Sequence, residues 1–197
     1  MVEKNKKKEI IRMVLTNDPD IHTRPVLPED DEKTIVIDCA VLKHISSLDK
    51  LKGTYQYLII LEHKSLYGSY INDSRVYTTL RPQWDILFDK YHVDLVISGH
   101  DHMYARTYKL YNGIRAKDDE DGTYYLDLGS SGNKARIPDD ALYNDGLHEC
   151  VLDLKTSCMA CGAIINVSKE KMAVIIYNNE GKAVDNFIIN NRKDMTI

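Results

Sequence analysis

Apolar residues along the chain fall into two kinds of run, one typical of buried strands and one typical of an amphipathic helix. The runs at residues 34–42, 55–61 and 93–98 are rich in β-branched and large apolar side chains, which predicts three buried strands. Before the third run, Pro82 suits the first turn of a helix. The apolar stripe of that helix has helical spacing and consists of Trp84, Leu87, Phe88 and Tyr91. Because strand, helix and strand form a βαβ unit, we expect the second and third strands to be parallel and covered on both faces.

The remaining segments predict loops and antiparallel strands. Residues 1–33 mix polar and apolar side chains with turn-forming sequences, so we expect a short helix or a tail followed by a loop. A polar loop is expected at residues 111–122, followed by a strand that ends in glycines. Residues 160–190 hold three short apolar segments separated by VSKEK and NNEG, which predicts an antiparallel β-meander. The fold class is therefore predicted as α/β (α+β), with residues 34–197 forming the main domain.

Composition and charge narrow the classes of partner. A chain of 197 residues favours one domain with a substantial core. A net charge of −4 gives no reason to expect nucleic acid or an anionic membrane as a partner. No run approaches the ~20 apolar residues of a membrane span, and no apolar segment follows the lysines near the start. We therefore predict neither a transmembrane helix nor a signal peptide in this sequence.

Four cysteines are present, and two of them have the C-x-x-C spacing in the sequence CMAC. They are Cys39, Cys150, Cys158 and Cys161. No second C-x-x-C completes a zinc site, and the segment lacks the βαβ pattern of a thioredoxin-like motif. We expect ordinary buried or half-buried thiols, with a disulfide or a redox role as the alternative.

Histidines follow two of the predicted strands at the points where those strands end. His63 comes just after the strand at residues 55–61, and His100 and His102 come just after the strand at residues 93–98. Because parallel strands end at the same edge of a sheet, we expect all three imidazoles at the edge where α/β proteins bind ligands. In an extended chain, residues two apart point to the same side, so His100 and His102 are expected to reach one site. The sequence therefore predicts a metal site, with ordinary hydrogen-bonded histidines as the alternative.

Several motifs around these histidines resemble those of one enzyme family. GHDHMYART, at residues 99–107, resembles the last motif of the calcineurin-like metallophosphoesterases, and it is closest to the purple acid phosphatase branch. ILEH, at residues 60–63, is similar to the V-x-x-H motif of that branch. Residues 80–102 are also similar to the helix and strand that lead into the last motif, and residues 122–134 resemble the segment that follows it. The resemblance extends well over residues 34–134.

This resemblance implies a β-sandwich flanked by helices and a dinuclear centre of Fe, Zn or Mn at the strand ends. It implies that His63 and His100 ligate one ion and that His102 ligates the other. Two ions about 3.5–4 Å apart would clamp a phosphate monoester and activate a water molecule. Tyr104 and Arg106 would support the ligands or face the phosphate, with a packed Tyr104 and a surface Arg106 as the alternative. Relatives of the purple type are commonly exported, so the compartment of this protein stays open.

The carboxylate and amide ligands of that family are missing from the printed sequence. The family's motif set includes GD-x-x-Y and GNH followed by an acid, but neither Gly-Asp nor Asn-His occurs here. The Gly132-Asn133 dipeptide continues with Lys134 instead. Three histidines leave two ions short of their usual four ligands. We therefore expect at most one weakly held ion in this chain, and no catalytic residue is identified. Asp38 ends a predicted strand as a single candidate carboxylate.

The matched motifs all belong to the second half of the family's domain. We therefore expect a fragment that hydrolyses phosphate monoesters when a missing N-terminal half completes it, for example in trans. The alternative is a remnant without catalytic activity that binds one ion weakly. In either case the strands predicted at residues 34–42 and 55–61 would expose a sheet edge, which favours self-association.

Overall fold

The described part of the protein is a mixed α/β structure that consists mostly of sheet. The computed structural model describes residues 13–16, 35–38, 55–68, 76, 80–117, 121–129, 146–152 and 161–191, with the backbone alone for the first two ranges. Its elements in chain order are β1 (Met13–Thr16), β2 (Ile35–Asp38), β3 (Ile59–Lys64), α1 (Arg81–Lys90), β4 (Leu95–Gly99), β5 (Tyr104–Thr107), β6 (Leu110–Tyr111), β7 (Ile114–Arg115), β8 (Tyr124–Leu128), β9 (His148–Leu152), β10 (Cys161–Val167), β11 (Lys171–Asn178) and β12 (Ala183–Asn190).

The predicted βαβ unit is confirmed. β3 and β4 pair in parallel, and α1 lies between them in the chain. Pro82 occupies the first turn of α1, where its missing N–H leaves no hydrogen bond unmade. Phe88 and Tyr91 are buried, and Trp84 and Leu87 pack against the same apolar cluster. The helical stripe therefore covers one face of the sheet, as its spacing predicts.

The central sheet has five strands in the order β3-β4-β8-β5-β9. β3, β4 and β8 are parallel to one another, and β5 is antiparallel to both β8 and β9. The carboxyl ends of β3, β4 and β8 therefore meet at one edge, which is where polar side chains from separate strands can converge.

The predicted meander is also confirmed. β10, β11 and β12 form an antiparallel three-stranded sheet. Met172, Val174 and Ile176 alternate along β11, and all three are fully buried. They pack in one apolar cluster with residues of the central sheet that include Leu95 and Leu126. The two sheets thus share a core on the face of the central sheet opposite α1.

Two local predictions are corrected. Met13–Thr16 is a strand that pairs in parallel with Ile35–Asp38, where the sequence predicts a helix, a tail or a loop. This run of four residues is too short for periodicity to distinguish it from its polar surroundings. The polar loop expected at residues 111–122 instead begins with the β6–β7 hairpin. Its turn residues Asn112 and Gly113 have φ of 52° and 72°, as a type I′ turn requires. The division of the chain at residue 33 remains a prediction.

Two cysteines lie within the described residues, and they are free thiols. Cys150 and Cys161 are half-buried, as expected of ordinary thiols. Burial, together with the nearby charge of Asp185, raises the pKa of Cys150 to about 11, which disfavours the reactive thiolate. Cys39 and Cys158 lie outside the described residues. Within the described ranges no helix combines the length and the apolar character that crossing a bilayer requires.

Candidate metal site at the carboxyl edge

β3 contains a bulge at His63, which lies within the strand although the sequence predicts it just after the strand's end. Glu62 and His63 together oppose the single residue Ser98 of β4, because the register shifts by one residue there. A bulge bends its strand and redirects the side chains beside it, and bulges are common next to functional sites. His63 is exposed at this end of β3. The backbone irregularity therefore presents its imidazole at the carboxyl edge of the sheet.

His100 occupies a tight turn rather than extended chain. Its φ is 71°, and the N–H of Asp101 donates to the carbonyl of Gly99 at 2.8 Å. A hydrogen bond across three residues with positive φ at the centre defines a γ-turn of the rare, strained kind. His102 also has positive φ, at 56°. The prediction of extended chain from His100 to His102 is therefore wrong.

The imidazoles of His63 and His100 are in direct contact. Nδ1 of His100 lies 3.0 Å from Nε2 of His63, and the rings are nearly perpendicular with centroids 4.9 Å apart. Two imidazole nitrogens bound to one tetrahedral zinc ion, each at about 2.0–2.1 Å, would be about 3.3 Å apart. The observed spacing thus fits two ligands of a single ion, and without an ion it fits a hydrogen bond between the rings.

The other candidate ligands are not gathered with this pair. His102 is half-buried after the γ-turn, and its assignment to a second ion stays a prediction. Over the described ranges no group of three histidine, cysteine, aspartate or glutamate side chains is arranged to hold an ion. Of Asp38, the structure describes the backbone alone. The structure therefore brings together two of the three predicted histidine ligands.

Buried acids near this edge were missed by sequence reasoning. Asp101 and Asp127 are 3% and 1% exposed, respectively. Burial raises the pKa of Asp127 well above its usual range, and the charge of Asp101 raises it further. Oδ1 of Asp127 accepts a hydrogen bond from the N–H of Gly129 at 3.3 Å. The available signal was a single acid inside the otherwise apolar strand YYLDL.

Tyr104 and Arg106 face the meander. The hydroxyl of Tyr104 donates to Oδ2 of Asp185 at 2.6 Å, and Nε of Arg106 donates to the same oxygen at 2.7 Å. A further donor of Arg106 reaches Oδ1 of Asp185 at 3.1 Å, and another contacts Glu149. The packed position of Tyr104 is confirmed, but the surface position of Arg106 is wrong, because Arg106 is only 5% exposed. A role toward phosphate stays a prediction for both.

Comparisons with known proteins point to one group of enzymes. No family model matches the chain. The chain is 33% identical over 94 residues to the Fe(3+)-Zn(2+) purple acid phosphatase 12 of Arabidopsis thaliana, which covers 44% of this chain and 20% of that protein. It is 34% identical over 97 residues to purple acid phosphatase 1 of Ipomoea batatas. This match covers 45% of this chain and 20% of that protein. The chain thus spans about a fifth of the length of these curated relatives.

Solved structures share the fold. The purple acid phosphatase PPD1 from yellow lupin (Lupinus luteus) superposes with a TM-score of 0.57 and 18% identity, over 78% of this chain and 29% of that chain. GAP50, the anchor in the inner membrane complex of Plasmodium, gives a TM-score of 0.54 and 17% identity, over 77% of this chain and 42% of that chain. These comparisons confirm the resemblance drawn from residues 60–63 and 99–107: the chain is similar in sequence and in fold to the purple acid phosphatases of the calcineurin-like group.

Proposed function

We propose that this chain contributes the histidine part of a dinuclear metal centre that hydrolyses phosphate monoesters. The observation that carries the proposal is the 3.0 Å approach of the His63 and His100 imidazoles at the carboxyl edge of the sheet. Imidazole is a good ligand for Fe and Zn, two of the three ions expected from the family resemblance. When bound, such ions would polarise the phosphate and lower the pKa of a bound water molecule.

We infer that the oxygen ligands come from outside the printed sequence. Neutral imidazoles alone do not offset the charge of two dications, and the sequence lacks the Gly-Asp and Asn-His motifs that supply acidic and amide ligands in the family. Asp127 is buried near this edge, but within the described residues it belongs to no group of three side chains arranged to hold an ion. We infer that hydrolysis requires a segment with the family's N-terminal motifs, supplied in trans or in a longer chain.

A second candidate function is a remnant without catalytic activity that binds one ion weakly. It is favoured by the ligand geometry, since the part of the chain that the structure describes has no three-ligand group. The two candidates predict different behaviour after completion. A half-site gains a second ion and phosphatase activity when the missing motifs are supplied, whereas a remnant gains neither.

Metal content per purified chain is the first test. Elemental analysis is run on the wild-type chain and on His63→Ala, His100→Ala and His102→Ala. His92→Ala is the matched control, because His92 pairs with Asp121 away from this edge. We expect no more than one ion in the wild type and less in His63→Ala and His100→Ala, with the control unchanged. A metal content that is the same in all variants would contradict a histidine site.

Completion is tested by co-expression with a separate polypeptide that carries the missing Gly-Asp and Asn-His motifs. Hydrolysis of p-nitrophenyl phosphate is then measured for the wild-type chain and the same histidine variants. Activity that appears only with both parts, and that His63→Ala and His102→Ala abolish, is expected of the half-site. A complex that gains neither a second ion nor activity would favour the remnant.

A further inference from the structure

The four residues that follow β3 (65–68) are buried and held by contacts from other elements. The carbonyl of Leu66 accepts a hydrogen bond from Nε of Arg81 at 2.8 Å. The carbonyl of Tyr67 accepts one from Nε2 of His148 at 2.9 Å, and the hydroxyl of Tyr67 donates to Asp85. The chain leaving His63 is therefore fixed by α1 at two points and by β9 at a third. Such a segment transmits a local displacement instead of absorbing it.

Gly68 ends this segment in close contact with the turn that carries His100. A Cβ atom added at Gly68 would overlap Oδ2 of Asp101 and would lie 3.0 Å from its Cγ. The backbone of Gly68 is outside the left-handed region, so the close approach, not the backbone conformation, requires glycine here. Asp101 is 3% exposed, so its short side chain has no solvent to move into.

We propose that the contact between Gly68 and Asp101 sets the spacing of the His63 and His100 imidazoles. Gly68 is five residues after His63 in the buried segment, and Asp101 is the residue whose N–H closes the γ-turn around His100. The contact thus joins the two segments that carry the histidines. Gly68 and Asp101 are positioning residues, since neither is assigned a role as a ligand. Their relevance to hydrolysis rests on the proposed function, whereas their effect on the histidine pair does not.

The test uses the metal-free protein and Gly68→Ala. Nuclear magnetic resonance of ¹⁵N-labelled imidazoles reports the ring-to-ring hydrogen bond of His63 and His100. We expect Gly68→Ala to remove this signal, and Gly68→Ala combined with Asp101→Ala to restore it, because the second substitution makes room for the new methyl group. Gly162→Ala is the matched control, since no atom lies within 4 Å of a Cβ at Gly162.

Zinc titration provides the second readout. The Kd for Zn²⁺ is expected to rise about tenfold or more in Gly68→Ala, the range typical when support of a ligand is lost, and to recover in the double variant. Circular dichroism checks the fold of each variant. Asp101→Glu crowds the same contact from the other side, so it replaces Gly68→Ala if that variant does not fold.

The outcomes separate the two proposals. A histidine hydrogen bond that persists in Gly68→Ala, or that stays lost in a folded double variant, would overturn the positioning role. Zinc affinity that is unchanged in His63→Ala would overturn the metal site, while the measurement on the metal-free protein still decides the positioning role. If the hydrogen bond between His63 and His100 is lost in Gly68→Ala and recovered in the double variant, the inference is supported whether or not His63→Ala changes the zinc affinity.

Discussion

Arg106 on β5 and Asp185 on β12 form a two-point contact that joins the central sheet to the meander. Nε of Arg106 lies 2.7 Å from Oδ2 of Asp185, and a second guanidinium nitrogen lies 3.1 Å from Oδ1. The guanidinium also stacks over the ring of Phe187, 4.7 Å from its centroid. Parallel hydrogen bonds of this kind are among the stronger polar contacts in proteins. The pair therefore fixes how the two sheets meet.

Replacing Asp185 is expected to destabilise the fold strongly. Asp185→Asn removes the charge that compensates the buried guanidinium of Arg106, and loss of one member of a buried pair costs about 3 kcal/mol. Glu149→Gln is the matched control, because the side chain of Glu149 is 42% exposed and its ion pair with Arg106 is screened. We expect the control to cost less than about 1 kcal/mol. Urea unfolding measures the free energy of unfolding of both variants. An equal loss in Asp185→Asn and Glu149→Gln would contradict the expectation that Asp185 contributes more.

The contribution of Asp185 to stability is expected to depend on pH. Burial raises the pKa of Asp185, but hydrogen bonds from Arg106 and Tyr104 outweigh burial and leave the pKa below its ordinary value. A carboxyl whose folded pKa is depressed stabilises the fold above the unfolded pKa of about 3.9, and this stability is lost as pH falls through the folded value. The difference in unfolding free energy between wild type and Asp185→Asn should therefore shrink below about pH 4. A difference that stays constant down to pH 3 would refute this account.

Much of the fold follows from sequence because its βαβ unit and meander carry strong periodic signals. β5 and β9 were missed for a physical reason that Arg106 illustrates. Its side chain is buried only because Asp185, 79 residues away in the chain, supplies a partner. A pattern of local hydrophobicity treats such an arginine as exposed, since unpaired charges are rarely buried. Long-range polar pairing is therefore the step that sequence reasoning could not supply.

The candidate site was only partly predictable. The positions of His63 and His100 follow from the rule that parallel strands end at one edge, and the structure brings these residues together. Their spacing depends on a bulge in β3, on a γ-turn and on the approach of Gly68 to Asp101, and none of these has a periodic signature. The bulge and the approach of Gly68 to Asp101 depend on contacts between distant segments of the chain.

Neutralising Asp127 is expected to stabilise the protein at neutral pH. Burial and the charge of Asp101 raise the folded pKa of Asp127 well above its ordinary value, so the folded state holds this proton more tightly than the unfolded chain. Stability then falls as pH rises from the unfolded pKa toward the folded one. Asp127→Asn should therefore gain stability relative to wild type between pH 4 and pH 7, with little difference at about pH 3. Thermal unfolding across this range measures the effect, with Glu180→Gln at an exposed turn as the control. A variant that is less stable than wild type at pH 7 would contradict the prediction.

The strained turn at His100 predicts a conflict between stability and metal binding. A residue with a Cβ atom at φ 71° carries a steric cost that glycine avoids. His100→Gly is therefore expected to be about 1 kcal/mol more stable than His100→Ala, although both variants lack the imidazole. Both should also lose the hydrogen bond to His63 and bind Zn²⁺ more weakly than the wild type. Chemical unfolding compares the two variants directly, and zinc titration compares each with the wild type. Equal stability of the two variants would show that the turn relaxes without strain, whereas the expected order would mean that the histidine is kept at a position the backbone disfavours.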